Sequence, residues 1–248
     1  MLARVLVCTM VTIAACGGSD GDDRRTEGTT PDTETSSTTT TEPGPASTES
    51  GPSTTSQAIP VFDGRVSSID TVRARMTHSW RPGCPVPIEA FRILTLDHWG
   101  YDGREHRGEL VVHGDHAESV LGVFRVLFDA RFPIERMELV DAYAGDDRAS
   151  TLANNTAGFN CRDVVGRPGA WSEHAFGRAL DLNPLVNPYV LDPSAVDPAQ
   201  RRFIDRTVDE PGMIRAGDEV VAAFAAIGWQ WGGTWSAPDY QHFSATGQ

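Results

Sequence analysis

Long apolar segments are scarce in this chain of 248 residues. The apolar run at residues 5–15 is too short to span a bilayer as a permanent anchor, and its length fits the core of an export signal. Residues 17–57 contain no Leu, Ile, Val, Phe, Tyr or Trp at all. A segment with so little apolar surface cannot offset the entropy lost on ordering, so we expect a disordered tether rather than a packed domain here.

Positive charge is also scarce, and all of it comes from arginine because the chain has no lysine. The formal net charge of −13 divides into +1 from Arg4, −6 from residues 17–57 and −8 from the remainder. An acidic domain argues against nucleic acid as a partner. The remaining length, residues 58–248, suits one domain.

Only four cysteines occur, and two of them lie at the N-terminus. Cys16 follows Ile13-Ala14-Ala15, which resembles a bacterial lipobox, where an apolar and two small residues precede a cysteine that becomes lipidated. This predicts a signal peptide at residues 1–15, lipidation of Cys16, and a tether at 16–57 that carries the domain on the outer face of the cytoplasmic membrane, in the cell-wall space. An ordinary cleaved signal, with Cys16 incidental, is the alternative.

The other two cysteines, Cys84 and Cys161, fall within the domain. An exported domain folds in an oxidising compartment, so we interpret them as one disulfide. Two free buried thiols are the alternative. Neither has a nearby histidine at zinc-finger spacing, so we do not count them as metal ligands.

Local patterns predict an α+β fold with a mostly antiparallel sheet flanked by helices. We expect a hairpin of two strands, a helix that begins with an Asp115/Glu118 capping box and ends at Pro133, and a second helix capped by Asp218 and closed by Gly228. The hairpin strands are predicted at 92–99 and 109–113, and the second helix at 218–227. A further strand is predicted at 137–143, and loops at 154–168 and 183–200.

Residues 171–184 hold the first part of a candidate metal site. The second half of this stretch reads as a strand in which Ala179, Asp181 and Asn183 share one face. His174 stands seven residues before Asp181, so a turn at Gly177 must fold it back beside that strand. Imidazole nitrogen and carboxylate oxygen are both good zinc ligands, but two ligands do not make a site.

The C-terminal segment supplies the third candidate ligand, His242, and a candidate general base, Asp239. Three protein ligands leave a fourth position open, which is typical of a catalytic rather than a structural zinc. Such a metal lowers the pKa of water to about 7, and a nearby carboxylate takes the proton.

These motifs resemble the D-alanyl-D-alanine carboxypeptidase family of zinc peptidases, which includes VanY-type carboxypeptidases and L-alanyl-D-glutamate endopeptidases. The resemblance rests on Ser172, His174, Gly177, Ala179 and Asp181, and on the later Asp239-x-x-His242; the stretches at 154–162 and 229–243 are similar to an actinobacterial lipoprotein branch. It implies the fold shared with Hedgehog domains, one Zn²⁺ per domain held by His174, Asp181 and His242, and Asp239 as the base.

The same resemblance implies an upstream arginine that steadies the substrate or the developing oxyanion. Arg162 is the first candidate for this role and Arg148 the second, while Ser172 would contact substrate or support the site. A preorganised cation stabilises the negative charge of a tetrahedral intermediate, but Arg162 could equally bind a substrate carboxylate as a bidentate fork.

Two classes of function follow. The first is a monomeric zinc metallopeptidase that hydrolyses peptidoglycan stem or cross-link peptides, as a carboxypeptidase or an endopeptidase. The second is a non-catalytic zinc-containing binding lipoprotein of the cell wall.

Two further features have more than one interpretation. The tryptophans Trp229, Trp231 and Trp235 are either core residues or a platform for a glycan. His113 and His116 are either a decoy metal cluster or a pair of surface residues.

Overall fold

The computed structural model of this protein describes residues 60–248. The predicted signal peptide, Cys16 and the tether lie outside these residues. Within residues 60–248, no helix combines the length and the apolar character that crossing a membrane requires.

The expected α+β fold is confirmed, and residues 60–248 form three small antiparallel sheets in place of a single one. The first sheet has the order β1-β2-β3, the second is the β4-β5 hairpin, and the third has the order β6-β8-β7. The strands are β1 (Gly64–Ser68), β2 (Phe91–Trp99), β3 (Glu105–His113), β4 (Asp163–Val164), β5 (Arg167–Trp171), β6 (Ala179–Asp181), β7 (Gln230–Trp231) and β8 (His242–Ser244); the helices are α1 (Ala117–Asp129), α2 (Asp147–Leu152) and α3 (Glu219–Ala226).

The predicted hairpin forms two of the three strands of the first sheet, with β2 at its centre. Strands β2 and β3 pair along their whole length, from Phe91 opposite His113 to Trp99 opposite Glu105. Helix α1 covers this sheet with an apolar face at helical spacing. The buried members of that face are Val120, Leu121, Val123, Phe124, Leu127 and Phe128.

The expected ends of α1 were wrong. A short 3-10 helix at Gly114–His116 precedes α1, and the Asp115 N–H donates to His113 Nδ1, so no Asp115 capping box forms. The helix ends at Asp129, ahead of Pro133, because the chain turns at Arg131, which has a left-handed φ of 55°.

The strand predicted at 137–143 was also wrong. The Glu109 N–H donates to the Met137 carbonyl at 2.9 Å, but a 3-10 helix follows at Val140–Tyr143. One Asp141 carboxylate oxygen accepts from the N–H groups of both His78 and Ser79. These side-chain bonds favour a turn over a continued strand.

The loop expected at 154–168 contains the start of the β4-β5 hairpin. Gly166 adopts a φ of 75° at its turn, and the Asp163 carboxylate accepts the Gly169 N–H at 2.8 Å. The loop at 183–200 has no helix or strand, as expected. Asn183, however, leaves the strand with a φ of 44°, so it does not share a strand face with Asp181.

Helix α3 begins after Asp218 and is followed by Gly228 in a left-handed conformation, as predicted. The Asp218 carboxylate accepts the Arg215 N–H and not a helical N–H. Phe224 of α3 stacks on Phe243 of β8 with ring centroids 4.1 Å apart. This contact fixes β8 to the main core.

A disulfide joins Cys84 to Cys161, with their Cα atoms 5.9 Å apart. Cys161 is buried in a cluster with Phe91 and Phe159. The bond ties the segment before β2 to the segment that leads into β4, immediately before Arg162.

Candidate metal centre and its cleft

His174 is presented by a tight local turn. The Ser172 hydroxyl accepts the His174 N–H at the start of a 3-10 helix, Glu173–Phe176, and Gly177 ends it with a φ of 67°. A Cβ at Gly177 would lie 2.7 Å from the His113 nitrogen, so this position requires glycine. The chain then returns directly into β6, as the sequence predicted.

Asp181 and His242 face each other across a strand pair. They are opposite partners in the antiparallel β6-β8 ladder. Directly paired residues have side chains close enough to share a ligand. The non-local pairing of two three-residue strands therefore joins two parts of the chain 61 residues apart.

The three predicted ligands come together. Asp181 Oδ2 lies 3.2 Å from His174 Nε2, and Asp181 Oδ1 lies 3.1 Å from His242 Nδ1. The two ring nitrogens are 3.3 Å apart. Among residues 60–248, this is the one group of three His, Cys, Asp or Glu side chains whose ligand atoms lie within 4.8 Å of one another.

Backbone carbonyls determine which imidazole nitrogen faces the centre. His174 Nδ1 donates to the Gly158 carbonyl at 2.7 Å, and His242 Nε2 donates to the Gln248 carbonyl at 3.1 Å. A neutral imidazole carries one N–H, so His174 Nε2 and His242 Nδ1 hold lone pairs that converge beside the carboxylate. Such outer hydrogen bonds orient metal-ligating histidines.

The three side chains also perturb one another. Burial lowers the pKa of His174, but the Asp181 carboxylate outweighs this and leaves it above its ordinary value. Burial raises the pKa of Asp181, but His174 and then His242 outweigh it and hold that pKa well below its usual range. A buried carboxylate kept charged between two imidazoles is a suitable cation ligand.

Asp239 lies beside this group with an unsatisfied oxygen. The residue is 9% exposed, and its Oδ1 has no hydrogen-bond partner within the described part of the chain. Burial raises the pKa of Asp239 to about 7, although the charge of His242 opposes the shift. A buried polar atom without a partner is unusual in a folded protein and marks a place where a ligand or water binds.

A known family matches this region. The model described as D-alanyl-D-alanine carboxypeptidase matches residues 165–245. The match covers about a third of the chain and includes His174, Asp181, Asp239 and His242. It supports a peptidase function in general terms. Comparison with curated proteins and with solved structures found no match.

Residues inside and upstream of the matched range line a cleft of about 770 Å³. Ser172, predicted as a substrate or supporting residue, is buried in its wall and caps the turn that carries His174. Trp235 also lines the cleft, with its ring 5.5 Å from that of His242. Trp229 and Trp231 are buried in the main core, so the three tryptophans have different roles.

The two candidate arginines lie upstream of the family match, and both line the cleft. Arg162 Nε donates to Asp147 Oδ1 at 2.7 Å, and its side chain is 23% exposed. Arg148 is 73% exposed and pairs with Asp197 at the rim. Arg162 is therefore the better placed of the two.

Sequence reasoning missed several contributors to the cleft. The carbonyls of Gly158 and Gln248 act through the backbone, which no residue pattern reveals. Tyr189, in the loop at 183–200, forms a β-bridge with Asp239 and lines the cleft. Asp147 lies within a charged run, Asp146-Asp147-Arg148, in which only the arginine was singled out. His113 and His116 do not join any three-residue metal group in the described chain.

Proposed function

We propose that this chain is a zinc peptidase that hydrolyses peptide bonds of peptidoglycan stems or cross-links. The observation that carries the proposal is the convergence of His174, Asp181 and His242 beside the buried carboxylate of Asp239, whose Oδ1 has no hydrogen-bond partner among residues 60–248. The match to the D-alanyl-D-alanine carboxypeptidase family over the same residues supports it.

The donor set suits zinc. Two imidazole nitrogens and one carboxylate oxygen form a three-ligand set with borderline-soft and hard donors, which is common for catalytic zinc. Both imidazoles are oriented by backbone carbonyls, so the ligand lone pairs are in place without rearrangement. The group lines the wide cleft, which leaves one side accessible to substrate.

A bound zinc ion would supply Lewis-acid activation of water and of the scissile carbonyl. Asp239 would accept a proton from the attacking water and return it to the leaving amine. In the metal-free protein burial raises the pKa of Asp239 to about 7, and a bound cation would oppose that shift and favour the charged carboxylate that accepts the proton. Arg162 would stabilise the negative charge that develops on the carbonyl oxygen.

The cleft suits a peptide. Its volume of about 770 Å³ lies within the range of clefts that bind small substrates. Trp171, Tyr189 and Trp235 contribute aromatic surface, and charged side chains, including those of the candidate metal centre, also line the cleft. This arrangement would hold the chain of the substrate on apolar contacts and present one bond to the chemistry.

We further propose that the protein acts outside the cytoplasm as a lipoprotein. Residues 1–15 would direct export, lipidated Cys16 would insert in the membrane, and residues 16–57 would carry the domain into the wall. The composition of these segments and the disulfide between Cys84 and Cys161 support an exported domain.

Digestion of defined wall peptides tests the function. Zinc-loaded protein would be incubated with purified stem peptides and cross-linked dimers, and the products identified by mass spectrometry. Loss of one C-terminal residue would identify a carboxypeptidase, and freed dipeptides or split cross-links would identify an endopeptidase.

The matched control is Asp239→Asn, which keeps the shape of the side chain. It should retain stoichiometric zinc and lose activity by at least about 100-fold, as expected for loss of a general base. A wild-type protein that carries zinc but cleaves none of these substrates would instead support the binding-lipoprotein hypothesis.

A further inference from the structure

Within residues 60–248, one nitrogen of the Arg162 guanidinium has no hydrogen-bond partner. Its Nε donates to Asp147 Oδ1 at 2.7 Å, and its Nη1 donates to the Asp163 carbonyl at 3.3 Å. Nη2 makes no hydrogen bond to any residue between 60 and 248. With Nε engaged, the side-on edge of the guanidinium is occupied, and Nη2 is left for a substrate oxygen.

The main chain around Arg162 is held from several sides. Cys161, one residue earlier, is bonded to Cys84, and its carbonyl accepts Arg81 Nη1 at 2.7 Å. The Arg162 carbonyl accepts the N–H of Ser172, the residue that caps the turn carrying His174. The base of the Arg162 side chain is therefore coupled to the segment that presents a metal ligand.

Arg162 lies in the same cleft as the candidate metal centre, since Arg162, His174 and Asp239 all line it. The unpartnered end of the guanidinium thus belongs to the site, while its paired end is turned towards helix α2.

We propose that Asp147 is a positioning residue that clamps Arg162 through Nε, so that Nη2 is directed to the oxygen that gains charge during peptide hydrolysis. The inference rests on the proposed function. It gives Asp147 a positioning role that acts through Arg162. A long arginine side chain loses rotamer freedom in such a clamp before substrate arrives, which is the benefit of preorganisation.

A double-mutant cycle tests this coupling. Arg162→Ala is expected to lower kcat by about 100-fold, the scale seen when one oxyanion donor is removed. Asp147→Asn is expected to lower kcat by about tenfold, since it removes a charge-assisted bond, with little change in KM. In the Arg162→Ala background, Asp147→Asn should have no further effect, because the residue it positions is gone.

A control separates positioning from general damage. Glu109 forms a two-bond pair with Arg75 away from the cleft, at 2.8 and 2.9 Å, so Glu109→Gln removes an equivalent carboxylate without touching the site. Its kcat should stay within about twofold of wild type. Added guanidinium should restore part of the activity of Arg162→Ala whether or not Asp147 is present.

Hydrogen exchange of the Arg162 Nε–H, followed by NMR on metal-free protein, tests the Asp147–Arg162 contact without any measurement of activity. The Arg162 Nε–H resonance, assigned by its disappearance in Arg162→Ala, should exchange slowly with solvent in wild type and rapidly in Asp147→Asn. If wild type cleaves no wall peptide but this protection depends on Asp147, the proposed function fails and the clamp stands. If protection is unchanged in Asp147→Asn, or if Asp147→Asn lowers kcat equally with and without Arg162, the positioning role is overturned.

Discussion

Reduction of the Cys84–Cys161 disulfide should destabilise the domain strongly. The bond closes a loop with a sequence separation of 77 residues. In the chain-entropy model, closing such a loop lowers the conformational entropy of the oxidised unfolded chain by about 15 cal/mol/K. This loss stabilises the folded state relative to the unfolded state by about 4.5 kcal/mol at 25 °C. For a domain of this size, about 2–4 °C of Tm accompanies each kcal/mol, so the reduced protein should melt about 9–18 °C lower.

The assay is urea unfolding of metal-free protein with and without a thiol-free reductant. Reduction alters only the bond and leaves both cysteine side chains in place, so lost packing contributes little. The control is the Cys84→Ala/Cys161→Ala variant, whose free energy of unfolding should be low and insensitive to the reductant. The folded segment should keep its position, because the Cys161 N–H still donates to the Ser79 carbonyl and Arg81 still binds the Cys161 carbonyl.

A difference of less than about 1 kcal/mol between the free energies of unfolding of the oxidised and reduced protein would refute this reasoning. Loop closure would then contribute far less than the several kcal/mol that the chain-entropy model predicts. A large change in the urea m-value between the two forms would also matter. It would show that the bond alters the compactness of the unfolded chain, in addition to its entropy.

Further predictions concern the ligands, the loop after β6 and the N-terminus. Asp181→Asn should weaken zinc binding by more than the 10–100-fold typical of an outer-shell change. The zinc affinity of the wild-type protein should fall with decreasing pH, because the raised pKa of His174 favours the proton over the metal. Chelator competition measures both effects, and equal zinc affinities of Asp181→Asn and wild type would contradict the ligand assignment. Asn183→Ala removes a fully buried side chain that donates to two carbonyls and accepts one N–H. The free energy of unfolding should therefore fall by about 2–4 kcal/mol. An unchanged Tm would show that these hydrogen bonds are dispensable. Cys16→Ala should abolish incorporation of labelled palmitate and release the protein from the membrane fraction, and persistent labelling would exclude lipidation at Cys16.

Much of the fold followed from local chemistry. The β2-β3 hairpin and helices α1 and α3 were recognisable because strand alternation, helical apolar spacing and turn glycines act over a few residues. The failures came from hydrogen bonds that the residue patterns do not reveal. The Asp115 N–H donates to His113 Nδ1, the Asp141 carboxylate accepts the N–H groups of His78 and Ser79, and the Asp218 carboxylate accepts the Arg215 N–H in place of a helical one.

For the site, sequence alone determined the chemistry available: His174, Asp181, Asp239 and His242 could be named because zinc accepts few ligand types and Gly177 permits the required turn. Tertiary structure alone decided how that chemistry is arranged. It placed Asp181 opposite His242, chose the facing ring nitrogens through the main-chain oxygens of Gly158 and Gln248, and paired Arg162 with Asp147. It also left Asp239 Oδ1 without a partner among residues 60–248. The physical reason is that a residue type fixes which groups can donate or accept, whereas the partner of a buried polar group depends on which segments pack against it.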